Sequence, residues 1–244
     1  MPSKKSAPKI SVCMPAQNAE LWIAESIQSI IDQSFKDWEL IIVDDGSTDA
    51  TPVIIQHFVN KDDRIKAFGI EDRKGIGHAR NVAAGLSSGK IICVQDADDV
   101  SHRDRLKNTW AFFKRHPKVD LTYGACQYID PLSKPFHVVQ AEPFDFQRLK
   151  KENWIQHPTV AYRAEAFEEI QYRPECRVID DWFLYFDFHK AGKKIQPMTD
   201  VLSFYRVLPT SVSRSKEKAD LVNATKELFL KEAAAYEDSR PVGK

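Results

Sequence analysis

Two short acidic clusters, Asp44-Asp45-Gly46-Ser47 and Asp96-Ala97-Asp98-Asp99, carry the strongest chemical signal in this chain of 244 residues. Each follows an apolar run, Leu40-Ile41-Ile42-Val43 in the first case and Ile91-Ile92-Cys93-Val94-Gln95 in the second. The carboxylates are therefore expected at the carboxyl ends of strands, the edge at which open α/β sheets bind ligands. Asp44 and Asp45 placed there can accept hydrogen bonds from a base or ribose, and Gly46 permits a close turn. A turn with a helix cap explains those four residues equally well. The three acids within 96–99 repel one another unless a counter-charge is present. A hard divalent ion with oxygen ligands, Mn2+ or Mg2+, is the simplest one, and it would bridge two phosphates and stabilise a departing diphosphate. The competing account is a solvated acidic turn in which Asp99 caps the next helix.

Positioning such clusters requires a sheet with crossover helices. Short apolar runs alternate with helical patterns through the first half, the signature of βαβ units around a mostly parallel sheet. Strands are predicted at 10–14, 40–43, 65–70 and 91–95. Trp22, Ile23, Ile27, Ile30 and Ile31 recur at helical spacing and should pack one face on the sheet. A second helix is expected after Asp49, and a third from Gly75-Ile76-Gly77 to Ser88-Gly89, where glycine suits a C-terminal cap. After a helix through Leu106, Trp110 and Phe113, the pattern becomes irregular, with strands predicted at 119–129 and 159–163 among Pro131, Pro135, Pro143 and Pro158. Helices are predicted near 179–190 and over 215–236.

Composition bounds the rest. The 35 basic and 35 acidic side chains balance, so no global field favours nucleic acid or an anionic membrane. Cys13, Cys93, Cys126 and Cys176 show no metal-ligand or C-x-x-C spacing, and a reducing cytoplasm is expected. No apolar run is long enough to span a bilayer. The mixed charge of the last helix is compatible with packing on the domain, a homodimer, or peripheral contact at the inner face of a membrane.

Pro15 and Asn18 after the first strand, D-D-G-S-T-D at 44–49, G-x-x-x-A-R-N at 75–81 and D-A-D-D at 96–99 together resemble a family 2 glycosyltransferase. The resemblance spans roughly 10–208. It implies a GT-A fold, with a Rossmann-like, mostly parallel central sheet flanked by helices, a mixed acceptor-side region and a C-terminal helix. The implied organisation is a flexible N-terminus at 1–9, a glycosyltransferase domain at 10–214 divided near 100 into nucleotide-binding and acceptor-binding halves, and a helical tail at 215–244. By the same resemblance Pro15, Ala16 and Asp45 contact the nucleoside with Asp44 beside them, Asn18 shapes the first loop, Asp96 with Ala97 meets the ribose, and Asp98 binds the metal. Arg80 is a contact in the donor site, its planar fork suiting a diphosphate; an ion pair holding the acidic loops is the alternative. The family often carries an aromatic residue just before the asparagine, where this chain has Gln17.

Asp180-Asp181 stands where the family carries the acidic pair that supplies the general base, Asp181 taking the proton of an acceptor hydroxyl and Asp180 helping to place it. A helix cap is the plain alternative for Asp180. Single displacement inverts the anomeric centre and needs no enzyme nucleophile. His157, Trp154 and Trp182 are acceptor-side candidates, and Arg206 with Ser211 and Ser213 is a candidate lid over the diphosphate. The expected activity is transfer of a hexosyl or N-acetylhexosaminyl group from a nucleotide-diphosphate sugar, preferably UDP-linked, to a glycan or lipid-linked hydroxyl in polysaccharide biosynthesis. Two rivals remain. Asp96-Ala97-Asp98-Asp99-Val100 also fits the nucleophile loop of haloacid-dehalogenase-like magnesium phosphatases, with Asp96 as nucleophile, but leaves D-D-G-S and A-R-N unexplained. The other is a non-catalytic module that binds sugar nucleotides.

Overall fold

The structure is a computed structural model that describes residues 7–176, 178–208 and 219–239. Four strands, β1 (Ile10–Ala16), β2 (Trp38–Asp45), β3 (Ile65–Ile70) and β4 (Ile91–Val94), form a parallel sheet in the order β3-β2-β1-β4. Every residue of β1 and β4 is buried, because helices cover both faces, and that is why these strands read as apolar runs broken only by Ser11.

The faces divide by alternation. Ile10, Val12, Met14, Leu40 and Ile42 meet Ile23, Ile27 and Ile30 of α1 (Ile23–Ile31), Ile55 of α2 (Thr51–Val59), and Leu106, Phe112 and Phe113 of α4 (Arg105–Arg115). Cys13, Ile41, Val43, Ile92 and Val94 face Ala79, Ala83 and Ala84 of α3 (Ile76–Gly85). The small residues on α3 let its backbone lie close to the sheet. This helix ends at Gly85, before the expected Ser88-Gly89 stop. Gly89 is needed instead for a close backbone approach, since a Cβ there would stand 2.6 Å from the Ser11 amide nitrogen and only glycine lets the chain re-enter beside β1.

Beyond β4 the sheet turns mixed. β8 (Ala161–Arg163) runs antiparallel between β4 and β6 (Leu121–Ile129), β9 (Ile195–Arg206) joins β6 in parallel, and the short β5 (Val100–Ser101) closes the order antiparallel to β9. β7 (Pro135–Val139) is a hairpin partner of β6. The register of β6 against β9 shifts on both sides of Ala125, and a Cβ on Gly124 would lie 2.5 Å from Leu202. The twelve-residue β9 is not foreseen from sequence, since Pro197 and Asp200 interrupt its alternation.

α5 (Phe146–Leu149) is short and capped by Asp145, which accepts the Gln147 amide at 2.7 Å. The second core layer is completed by α6 (Asp180–Lys190) and α7 (Ala219–Ser239). Phe229 of α7 sits edge-on to Trp182, Phe183 and Phe186 of α6 at 5.4–5.5 Å, so the final helix packs on the domain. None of the described helices is long and apolar enough to cross a membrane.

Candidate active site

Parallel pairing brings the first two acidic clusters together. β1 lies between β2 and β4, Ala16 is in register with Asp44, and Cys13 with Val94 is the last β1–β4 pair. Pro15 and Ala16 thus form the floor between the D-D-G-S turn and the D-A-D-D turn. Asn18 adopts φ 49°, accepts the Thr48 amide at 2.8 Å and donates its own amide to Ser47 Oγ at 2.9 Å; an asparagine tolerates that left-handed backbone where most residues do not. Gly46, at φ 68°, makes the turn after Asp45.

The two carboxylates of the first cluster differ. Asp45 is buried, and its oxygens accept the Lys74 and Gly75 amides at 2.8 and 2.7 Å. It ties the loop before α3 to the end of β2. Asp44 remains partly exposed and is hydrogen bonded through one oxygen by the Ser47 hydroxyl and amide. Asp49 accepts the Thr51 amide at 2.9 Å at the head of α2, and the Glu20 amide at 3.1 Å.

Arg80 links the second cluster to the third pair. Its Nη2 donates to Asp96 Oδ1 at 2.9 Å and its Nη1 to Asp180 Oδ2 at 2.7 Å, with the guanidinium over the Tyr172 ring at 5.3 Å. Burial works against the guanidinium charge, and Asp180 and Asp96 more than offset it, so its pKa rises. Asp180 is therefore an ion-pair partner, not a helix cap; Ile179 holds the cap position, at φ 50°. A Cβ at Gly77 would lie 3.6 Å from Asp180 Oδ2, an ordinary van der Waals contact, so the approach does not itself demand glycine there. Asn81 pins the neighbouring segment by exchanging two hydrogen bonds with the Tyr172 backbone, at 2.7 and 2.9 Å.

The D-A-D-D turn is held from below by side chains that the motifs in the sequence do not single out. Gln95 donates to the carbonyls of Asp96 at 3.1 Å and Asp99 at 2.9 Å, Ser26 donates to the Asp96 carbonyl at 3.0 Å, and the buried Arg105 donates to Gln95 Oε1 at 2.9 Å. A charged residue on the apolar face of α4, beside Leu106, Thr109, Phe112 and Phe113, was the available signal. Asp99 is no cap for the next helix: it is fully buried and accepts the Arg206 amide at 2.7 Å, while Asp104 stands at the head of α4.

Arg206 likewise departs from the lid expectation. It is buried, its Nε donates to the Asp98 carbonyl at 2.9 Å, and its Nη2 pairs with Glu25 at 2.6 Å. These bonds make it a pin beneath the acidic turn. Ser211 and Ser213 lie outside the described residues.

Asp98 fits a metal ligand. It is partly buried, and its pKa is raised to about 6 by burial and by the Asp96 charge, with Arg206 and Arg80 opposing. No other residue among those described hydrogen-bonds its carboxylate, and no group of three or more His, Cys, Asp or Glu there could enclose an ion. A lone hard oxygen ligand suits an ion whose remaining sites are filled by phosphate and water.

Asp181, partly exposed beside Asp180, has its pKa raised to about 7 by burial and by Asp180; Arg80, the Trp182 amide and Asn153 oppose the rise. His157 is buried between Tyr185, 2.7 Å from Nδ1, and Tyr172, 3.1 Å from Nε2. Burial and the charges of Arg80 and Arg105 push its pKa well down, so it is neutral and structural. Trp154 and Trp182 are covered by protein and not open to a sugar ring. Arg148 lies 4.6 Å over the Trp154 ring, and Phe229 and Lys226 of α7 cover Trp182.

The model for glycosyl transferase family 2 matches residues 11–171. The chain is 32% identical over 215 residues to TuaG of Bacillus subtilis (strain 168), whose name assigns it to teichuronic acid biosynthesis as a glycosyltransferase, covering 87% of this chain and 84% of that one. Among solved structures, S. aureus TarS 1-349 in complex with UDP superposes with a TM-score of 0.64 at 25% identity, over 82% of this chain and 61% of that one. The mannosyltransferase PcManGT from Pyrobaculum calidifontis, in complex with GDP-Man and Mn2+, gives a TM-score of 0.66 at 20% identity, over 98% of this chain and 77% of that one. The fold is of the GT-A type, the phosphatase reading of Asp96 falls away, and the chain is a glycosyltransferase belonging to family 2.

Proposed function

We propose that this enzyme moves a sugar from a nucleotide-diphosphate sugar to a hydroxyl acceptor by single displacement with inversion, Asp181 serving as general base. The observation that carries the reading is the Arg80 bridge at 2.9 and 2.7 Å, which joins the Asp96 turn on the donor side to the Asp180-Asp181 pair. A base poised near neutrality combines a useful ionised fraction with a useful proton affinity, and Asp181, raised to about 7, has that balance.

In this assignment Pro15, Ala16 and Asp44 line the nucleoside site, with Asn18 and Asp45 holding its loops. Asp96 and the Ala97 backbone meet the ribose, and Arg80 orients Asp96 while pairing with Asp180. Asp98 would hold a divalent ion, Mn2+ or Mg2+, which when bound neutralises charge on the donor diphosphate. Asp181 accepts the acceptor proton as the hydroxyl oxygen bonds to the anomeric carbon and the bond to the diphosphate breaks. The UDP complex of TarS and the naming of TuaG for teichuronic acid biosynthesis favour a UDP-linked donor and a glycan or lipid-linked acceptor.

A thermal-shift screen of UDP, GDP and their sugars with Mn2+ or Mg2+ tests the donor assignment, because a ligand selective for the folded state raises its midpoint. A rise with UDP and UDP-sugars is expected; no rise with any nucleotide would overturn the reading. Release of nucleoside diphosphate in the presence of candidate acceptors separates the enzyme from a sugar-nucleotide-binding module.

A further inference from the structure

Asn153 lies in the segment between α5 and the short 3-10 turn His157–Thr159, and its side chain is fixed at both ends. Oδ1 accepts the Ile155 amide at 3.1 Å, and Nδ2 donates to Asp181 Oδ2 at 2.6 Å. The first bond determines the second: with Oδ1 turned toward its own backbone, the amide must present Nδ2 to α6. A carboxylate held at one oxygen loses its free rotation, and the other oxygen acquires a fixed direction.

The groups around Asp181 divide the work. Asp180, its neighbour on α6, repels it, and Tyr185, one turn further on, also faces it. Arg80 attracts it from α3, but both Arg80 Nη groups are bound to Asp96 and Asp180. Among the described residues, Asn153 is thus the side chain that donates a hydrogen bond to Asp181, alongside the Trp182 backbone amide.

We propose that Asn153 is a positioning residue for glycosyl transfer: by occupying Asp181 Oδ2 it leaves Oδ1 as the oxygen that takes the acceptor proton. This rests on Asp181 being the general base. A donor to a carboxylate also favours its ionised form, so the residue sets both the direction and the protonation of the base.

The test compares wild type, N153A, N153D and D181N across pH, reading release of nucleoside diphosphate from UDP- and GDP-sugars with Mn2+. A carboxyl 13C NMR titration of Asp181, its signal identified by loss in D181N, needs no substrate. D181N is expected to lose turnover. N153A should lower kcat about tenfold or more while leaving donor KM within about twofold. Its acid limb and the Asp181 titration should both move up by about one pH unit. N153D keeps an acceptor for the Ile155 amide but sets a second carboxylate beside Asp181, so its shift should be larger; if N153A fails to fold, N153D alone decides. Unshifted titrations in the folded Asn153 variants, with D181N inactive, overturn the role of Asn153. Full turnover in D181N overturns the base assignment itself and the inference with it.

Discussion

Arg80 Nη1 stands 2.7 Å from Asp180 Oδ2 across 100 positions of sequence, and both side chains are buried. The other arm of the same guanidinium reaches Asp96, so one cation serves carboxylates from two acidic clusters.

Removing that cation should be costly. R80A leaves Asp180 buried without its partner, and a loss of about 3 kcal/mol in unfolding free energy is expected by denaturant titration. R80K keeps the charge but not the fork that spans two carboxylates, so it should recover stability only in part. D180N in the R80A background should restore some of the loss; additive effects of the two substitutions would argue against the coupling.

Asp181 makes the fold sensitive to pH in the opposite sense to an ordinary ion-paired acid. Its folded pKa, about 7, lies above the ordinary carboxylate value of 3.8, so between these values the folded state binds the extra proton. Stability attributable to this group therefore falls as pH rises through that window. D181N removes the cost: its melting midpoint should exceed that of wild type at pH 8 and approach it near pH 4. A wild-type advantage at pH 8 would contradict the assignment.

At Asp98, the expected consequence concerns the metal. D98N should abolish most of the Mn2+-dependent part of the thermal shift given by UDP, because the one carboxylate assigned to the ion is gone, while leaving the metal-independent part. Isothermal titration of Mn2+ in the presence of UDP gives the same comparison directly. Equal Mn2+ affinity in D98N and wild type would remove Asp98 from the metal site.

Gly124 supports the long β9 strand. An alanine Cβ there would fall 2.5 Å from Leu202 and 2.8 Å from the Asp200 carbonyl, and relief of that overlap must move backbone. G124A should destabilise by about 1–3 kcal/mol, measurable by chemical denaturation.

The N-terminal half was legible because β1, β2 and β4 are almost wholly buried. Apolar runs and helical spacing located β1, β2 and β4, and β3, an edge strand exposed over most of its length, fell on Ile65–Ile70 as expected. The acidic turns followed from those strand ends. The C-terminal half was less legible. β9 contains Pro197 and Asp200 and pairs with β6, far away in sequence. The aromatic spacing of Trp182, Phe183 and Phe186 announces a buried helix but not that α7 covers it. Arg105, Arg206 and Asn153 act through distant partners, and nothing in their local sequence names Gln95, Asp98 or Asp181 as those partners.

The shared cation at Arg80 also constrains how the molecule can be recombined. A segment grafted in place of α6, to accept a different hydroxyl, would have to return an acid to the Asp180 position or arrive with its own neutralising group. The surrounding loops can diversify, but the seam that Arg80 makes between α3, the Asp96 turn and α6 carries a fixed electrical specification.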